Sequence, residues 1–211
     1  MAVFFIIFSI IYSLTNIIKN FISSYGSIAV FITMIFESAS FPIPSEVVLP
    51  LTGLLAKDHM LNIYVAFSAA FLGSIIGMAI DYYIGYIIGK EIVYSHLKIF
   101  HIERKKLDEF DIWFNRNGPI TVLFSRFIPI VRGLISFPAG FAKMKLRTFL
   151  AYSAIGIFIY NTLLIGYGYY LLSSSSFYII IASIGFFGLC LYFVYKFFIS
   201  YVRSKASNNK A

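Results

Sequence analysis

Long apolar runs, interrupted by short polar or proline-bearing stretches, organise this chain. A helix rises about 1.5 Å per residue, so roughly 20 mostly apolar residues cross a hydrocarbon core about 30 Å thick. Four runs reach that length, at about 2 to 22, 61 to 88, 148 to 171 and 177 to 201, and predict four spanning helices. The first has no basic flank before it and no small-residue cleavage site, so it reads as a retained helix. A helix lying in the interface is the competing reading for it. Polar breaks at Lys57, Asp58 and His59 and at Ser173 to Ser176 predict turns. Two helical approaches, about 25 to 38 and 104 to 117, lead into stretches of a different kind.

All six prolines fall in these two stretches. Pro42, Pro44 and Pro50 lie in FESASFPIPSEVVLPLTG, residues 36 to 53; Pro119 precedes FSRFIPIVRGLISFPAGFAKM, residues 124 to 144, which holds Pro129 and Pro138. Proline breaks helices, and backbone freed at membrane depth is tolerated only where protein or a water-filled cavity satisfies it. The pattern therefore predicts two re-entrant helical hairpins lining a site. Pro42, Pro44, Pro50 and Gly53 form the first, and Pro129, Pro138 and Gly140 the second. The first stretch is acidic through Glu37 and Glu46, the second basic through Arg126 and Arg132. Opposite charges on matching segments predict that the two meet.

Composition narrows the class. With 60% hydrophobic and only 12% charged residues and a mean hydropathy of +0.85, the chain departs from soluble domains, whose apolar share is about 45 to 50%. It reads as an all-α integral membrane protein of one domain. Residues 25–89 form a first repeat, 90–117 a cytoplasmic amphipathic connection, 118–171 a second repeat, and 177–211 a last spanning helix with a basic tail. Cytoplasmic loops are enriched in Lys and Arg. Lys90, Lys98, Arg104, Lys105, Lys106 and Arg116 fill the middle connection; Lys143, Lys145 and Arg147 follow the second proline stretch; Arg203, Lys205 and Lys210 close the chain. Only Lys19 and Lys57 fall on the other side. This places both termini in the cytoplasm of a multi-pass cell-membrane protein, with the hairpins entering from opposite faces as an inverted repeat around a midplane site. The net charge of +8 is then a topology signal and requires no nucleic acid.

Over 99 to 117, Ile99, Ile102, Leu107, Phe110, Trp113 and Phe114 fall broadly on one helical face opposite Glu103, Arg104, Lys105 and Asp108. That face reads as a surface helix on anionic lipid or as a topology determinant. Tyr82, Tyr83, Tyr86, Tyr167, Tyr169 and Tyr170 fit an aromatic belt. A single cysteine, Cys190, offers neither a disulfide nor a thiolate metal site, and His59, His96 and His101 form no ligand pattern with acidic residues. No cofactor or metal is expected.

A charge at the centre of a spanning helix costs about 2.5 to 3.5 kcal/mol, so the four charges on the proline stretches need partners or a purpose. The guanidinium fork suits phosphate, which makes Arg126 and Arg132 candidates for an anionic lipid headgroup. A carboxylate in a desolvated pocket can exchange a proton at working pH, which makes Glu37 and Glu46 candidates for proton coupling. The plainer readings are an ion-pair set that locks the hairpins, with Arg126 as counterion of Glu37, and charges that snorkel to the interface. Asp81, within GMAIDYYIGYIIGK, is a further proton-coupling candidate or a polar wall. Its neighbours Gly73, Gly77, Gly85 and Gly89 space a small-residue stripe for close helix approach.

These motifs resemble those of the DedA family, the bacterial and archaeal relatives of the SNARE-associated Golgi or VTT-domain membrane proteins. The resemblance covers about residues 25 to 170. SRFIPIVRGLISFPAGFAKM, followed by Phe149, Tyr152, Gly156 and Gly166-Tyr167, is similar to the family signature almost position by position, and FESASFPIPSE resembles its acidic motif. Two departures stand out: Tyr160 where the family usually has tryptophan, and Asp81 about one residue off the usual spacing to Tyr86. The resemblance implies opposed re-entrant hairpins in a transporter-like fold and an activity moving lipids between leaflets. In prokaryotic members that activity is linked to recycling of polyprenyl phosphate carriers and to the proton motive force. Expected partners are thus membrane lipids, either a polyprenyl phosphate or a phospholipid, together with protons; a monomer and a homo-oligomer both fit a chain of this size. Two alternatives stay open: a proton- or ion-coupled carrier of small solutes, and an intramembrane polyprenyl-diphosphate phosphatase. The phosphatase would use Ser125 as nucleophile.

Overall fold

Eight helices make up the regular structure of residues 2–95 and 104–171, which the computed structural model describes. They are α1 (Ala2–Tyr25), α2 (Ser27–Ser38), α3 (Ser45–Lys57), α4 (Ile63–Ser95), α5 (Arg104–Ser125), α6 (Pro129–Leu134), α7 (Ser136–Phe141) and α8 (Leu146–Leu171). Two stretches are long and apolar enough to cross a membrane, Ile63–Gly89 of α4 and Leu146–Leu171 of α8. They coincide with the second and third apolar runs. The fourth run, the basic tail, Cys190, His96 and His101 lie outside the described residues. The first run is helical as α1, which buries Thr15, Ile18 and Ile22 before Gly26, at φ 63°, breaks the chain into α2.

Three helices stop in the same way. Ser40, His59 and Lys143 adopt left-handed φ values of 61°, 59° and 50°. In each case the next N–H returns to a carbonyl five residues earlier: Phe41 to Phe36, Met60 to Leu55, and Met144 to Ala139, at 3.1, 2.9 and 3.1 Å. This satisfies carbonyls that a helix end would leave open. The turn expected at Lys57 to His59 is the second of these. After it, Asn62 caps α4, its Oδ1 accepting from the N–H groups of Tyr64 and Val65 at 3.0 and 3.3 Å.

The prolines break the chain less than their chemistry predicts. Pro42 and Pro44 lie in the non-helical link between α2 and α3, and Pro129 opens α6. Pro50 and Pro119, however, sit inside α3 and α5, and Pro138 lies within the first turn of α7 together with Gly140 further on. In the first turn of a helix the missing N–H would be unused anyway. In an interior it frees a single carbonyl, a loss that packed neighbours can absorb at membrane depth. The approach expected to end at 117 accordingly runs through Pro119 to Ser125. Gly53, expected to help form the first break, lies inside α3 and serves packing instead.

Helices approach closely at glycines, and the approaches recur. A Cβ on Gly168 of α8 would overlap the carbonyl of Pro50 in α3, and one on Gly53 would overlap the carbonyl of Ile165 and the N–H of Tyr169. A second crossing has the same layout: Gly85 of α4 meets the carbonyl of Phe137 in α7, and Gly140 meets the carbonyl of Tyr82 and the N–H of Tyr86. In both, the partners flank the long-helix glycine three residues before and one after. A third pair matches as well, Gly73 of α4 against the Phe31 carbonyl of α2 and Gly156 of α8 against the Leu123 carbonyl of α5. Without a hydrophobic drive between helices in lipid, such backbone proximity is the main source of cohesion. Gly89 leaves the expected stripe. At φ 64° and ψ 176° it interrupts the helix at the end of the apolar run.

Two apolar clusters result. One joins α1, α2, α3 and α8 through residues such as Ile22, Val30, Leu51 and Leu164. The other joins α4, α5, α7 and α8 through Met78, Tyr82, Phe114 and Phe149. On α5, Phe114 is buried while Ile112 and Trp113 are exposed; the side chains of residues 104–111 lie outside the described set. Between the clusters run the polar side chains of the two proline stretches.

Candidate functional site

The two stretches meet, as their charges predict. Arg132, on α6, donates from Nη2 to Glu37 Oε1 in the last turn of α2 and to Ser45 Oγ at the start of α3. Glu37 also accepts from Ser38 Oγ at 3.0 Å. Beneath the guanidinium of Arg132 lies the ring of Tyr160, 4.5 Å from its centroid. The Tyr160 hydroxyl donates to Glu46 Oε1 at 2.8 Å. One aromatic side chain of α8 therefore touches both a cation of the basic stretch and a carboxylate of the acidic one.

Arg126 behaves differently. It is 3% exposed and makes no ion pair among the described residues. Its Nη1 donates to the carbonyl of Arg132, and its Nη2 to Ser153 Oγ at 2.7 Å and, more weakly, to Ser136 Oγ at 3.4 Å. The ring of Phe149 lies 5.5 Å from the guanidinium carbon. Every hydrogen-bond partner is neutral, Nε has none, and the carboxylate of Asp81 acts on the guanidinium only through space, without an ion pair. The expected counterion relationship is thus corrected: Glu37 pairs with Arg132, not with Arg126. Spacing along the chain does not reveal this, because both arginines lie on the same short stretch and the pairing depends on which one points toward α2.

Glu37, Arg126, Arg132, Tyr160 and Asn161 line a partly open cavity of about 20 Å³, with Met34 and Ile157 among its apolar walls. Glu46 is held just outside it by Tyr160. Asp81 is buried on α4 and accepts from Ser40 Oγ, so it fastens the left-handed residue that ends α2 and does not line the cavity. Ser125, the candidate nucleophile, donates to the Val122 carbonyl at 2.8 Å and is likewise absent from the cavity wall. Among the described residues no group of three or more His, Cys, Asp or Glu is placed to hold a metal ion.

Reasoning from the sequence missed the neutral members. Ser45, Ser136, Ser153 and Asn161 are all buried, and each lies beside a charge or in the cavity. A signal existed for Asn161, an amide in the middle of an apolar spanning run, where a polar side chain needs a partner. Tyr160 was noted only as a departure from a family pattern, yet it links the two charged stretches.

Comparison with known proteins places the chain among membrane proteins. The VTT domain matches residues 43–170. The chain is 37% identical over 150 residues to undecaprenyl phosphate transporter A of Staphylococcus aureus, covering 69% of this chain and 74% of that protein. It is 35% identical over 158 residues to an alkaline phosphatase-like protein of Lactococcus lactis subsp. cremoris, covering 72% and 74% respectively. Over 131 residues it is 31% identical to protein DedA of Escherichia coli, covering 61% of this chain and 59% of that protein. No solved structure matches the chain.

Proposed function

The chain belongs to the VTT-domain family, the DedA family of membrane proteins, and on that premise we propose that it carries a polyprenyl phosphate between the leaflets of a cell membrane. The observation that carries the reading is Arg126, a buried cation at a cavity wall that makes no ion pair among the described residues, the carboxylate of Asp81 acting on it only at longer range. A charge removed from water without a paired counterion is costly, and an anionic headgroup would supply a direct one. The name of the Staphylococcus relative agrees with that ligand class.

A second feature favours a lipid over a water-soluble solute. An apolar groove of about 260 Å³ runs between α1 and the α2 to α3 link, lined by Ile17, Phe21, Ile32, Phe36 and Ile43. Its one hydroxyl, Thr33 Oγ1, is already bonded to the Ala29 carbonyl at 2.7 Å. The groove reaches Pro44, next to the Ser45 that accepts from Arg132, so a hydrocarbon tail in the groove would lead toward the charged cavity.

In this reading the two proline stretches are opposed re-entrant hairpins of an inverted repeat, residues 25–89 and 118–171, in a multi-pass protein with both termini cytoplasmic. The recurring glycine crossings support the repeat, because α3 on α8 and α7 on α4 use equivalent positions. Proton coupling is assigned to Glu37, with Glu46 behind it. A proton on Glu37 would dissolve its pair with Arg132 and release a second cation to the headgroup. Asp81 has a holding role at Ser40.

The test is transbilayer movement of labelled polyprenyl phosphate and labelled phospholipid in proteoliposomes, with and without a pH gradient. Selective movement that Arg126→Ala abolishes is the expected result. Movement of both lipids without a gradient effect would indicate a scramblase. No movement of either by folded protein would overturn the reading in favour of a solute carrier.

A further inference from the structure

Two buried nitrogen donors have no partner among the described residues, Arg126 Nε and Asn161 Nδ2. Both residues line the same cavity. Asn161 is 1% exposed and lies in the apolar run IFIYNTLLIG of α8, where an unmatched amide is a net cost to folding. Nearby polar groups are committed elsewhere. Tyr160 donates to Glu46, Ser153 accepts from Arg126 Nη2, and Thr162 Oγ1 donates to the Phe158 carbonyl at 2.7 Å. Of the acceptors on the same cavity wall, Glu37 takes its bonds from Arg132 and Ser38, and the Ser74 hydroxyl donates to the Ala70 carbonyl at 2.9 Å; neither bonds Asn161. What remains is two unmatched N–H groups, one on a cation, carried by residues that line the same space of about 20 Å³. That space admits one oxygen-sized group.

We infer that Asn161 is a headgroup-recognition residue, which together with Arg126 Nε binds one anionic oxygen of a lipid phosphate monoester. The inference rests on the lipid-phosphate reading above and adds a specificity element to it. An anionic oxygen accepts from both donors and brings the negative charge with which Arg126 forms no ion pair here, whereas an alcohol or a neutral headgroup brings no such charge. The whole headgroup enters as the surrounding helices part, and its leading oxygen meets these two groups.

The experiment uses the full chain in detergent as wild type, Asn161→Leu and Asn161→Asp, with farnesyl phosphate as probe and farnesol as control. Thermal unfolding without ligand and isothermal titration with each probe are the readouts. Asn161→Leu removes a buried unmatched amide, so it should unfold at or above the wild-type temperature. Its Kd for farnesyl phosphate should rise roughly 10- to 100-fold, the loss expected for one hydrogen bond to a charged group. Asn161→Asp keeps the side-chain volume and sets a carboxylate against the phosphate, so its binding should be weaker still. Farnesol binding should not change. The opposite pattern, a lower unfolding temperature for Asn161→Leu with an unchanged Kd, would make the amide a structural partner of Arg126 and overturn the assignment. Failure of Asn161→Leu to fold, combined with wild-type affinity in Asn161→Asp, would do the same. A wild type that binds farnesyl phosphate no better than farnesol would overturn the lipid-phosphate reading itself, and the inference with it.

Discussion

The acidic and basic proline stretches dispose of their charges in opposite ways. Both glutamates of the acidic stretch find partners outside it, Glu37 at Arg132 of α6 and Glu46 at Tyr160 of α8. The basic stretch sends one arginine across to that partner and holds the other on neutral groups, the Arg132 carbonyl and Ser136 hydroxyl of the same stretch and the Ser153 hydroxyl of α8. Charges that cross between stretches serve cohesion, because each is compensated by the region it holds. Arg126 is hydrogen-bonded to neutral groups alone and makes no ion pair among the described residues. On the function proposed above, stability and recognition are divided between two arginines six residues apart in the sequence.

That division can be broken most forcefully at Glu37. Glu37→Gln strands Arg132 in a buried site, and losing one partner of a buried pair costs about 3 to 5 kcal/mol. Unfolding of the purified protein in detergent should show this loss. Adding Arg132→Met to Glu37→Gln should restore most of it, while adding Arg126→Met should not; equal rescue by both would erase the contrast between the arginines. Next in size is the crossing of α3 on α8. Gly168→Ala forces a methyl group against the Pro50 carbonyl, and overpacking of this kind costs about 1 to 3 kcal/mol. The same assay reads it, and a neutral result would mean that the helices can separate without loss. Tyr160→Phe keeps the ring under Arg132 and removes only the bond to Glu46, so about 1.5 kcal/mol should be lost, the low end for a bond to a charged group because Glu46 is only half-buried. A larger loss would show that Glu46 depends on that hydroxyl for its position. The smallest stability effect belongs to Arg126→Met, which removes a buried charge that makes no ion pair and should fall within about 1 kcal/mol of wild type or above it. Its polyprenyl phosphate transport should nevertheless disappear. A strong destabilisation by Arg126→Met would place both arginines in the same structural class.

Much of this arrangement was legible in the sequence because charge and proline are rare in apolar runs. Glu37, Glu46, Arg126 and Arg132 stood out for that reason, and their opposite signs implied the meeting of two stretches. The apolar runs gave α1, α4 and α8 through length alone. What stayed hidden depends on direction. Arg126 and Arg132 lie on one short stretch, and only the path from α5 into α6 decides which of them reaches α2. Serines are common in apolar helices as back-bonded side chains, as Ser74 and Ser125 are here. Nothing local therefore distinguishes Ser45, Ser136 and Ser153, whose hydroxyls meet arginines 87, 10 and 27 residues away in the sequence. Proline misled in the other direction. A rule about isolated helices overstates the disruption at Pro50 and Pro119, where neighbouring helices hold the chain in place.

The bond from Arg126 Nη1 to the carbonyl of Arg132 has a mechanical consequence. That carbonyl belongs to the peptide unit that follows the Arg132 side chain, so the two guanidinium groups are joined by a short lever instead of lying independently in the cavity. A force that draws Arg126 toward an anion turns the same peptide plane, and with it the root of the side chain that grips Glu37. The clamp between the two stretches is therefore connected, through a single carbonyl oxygen, to whatever tugs on Arg126.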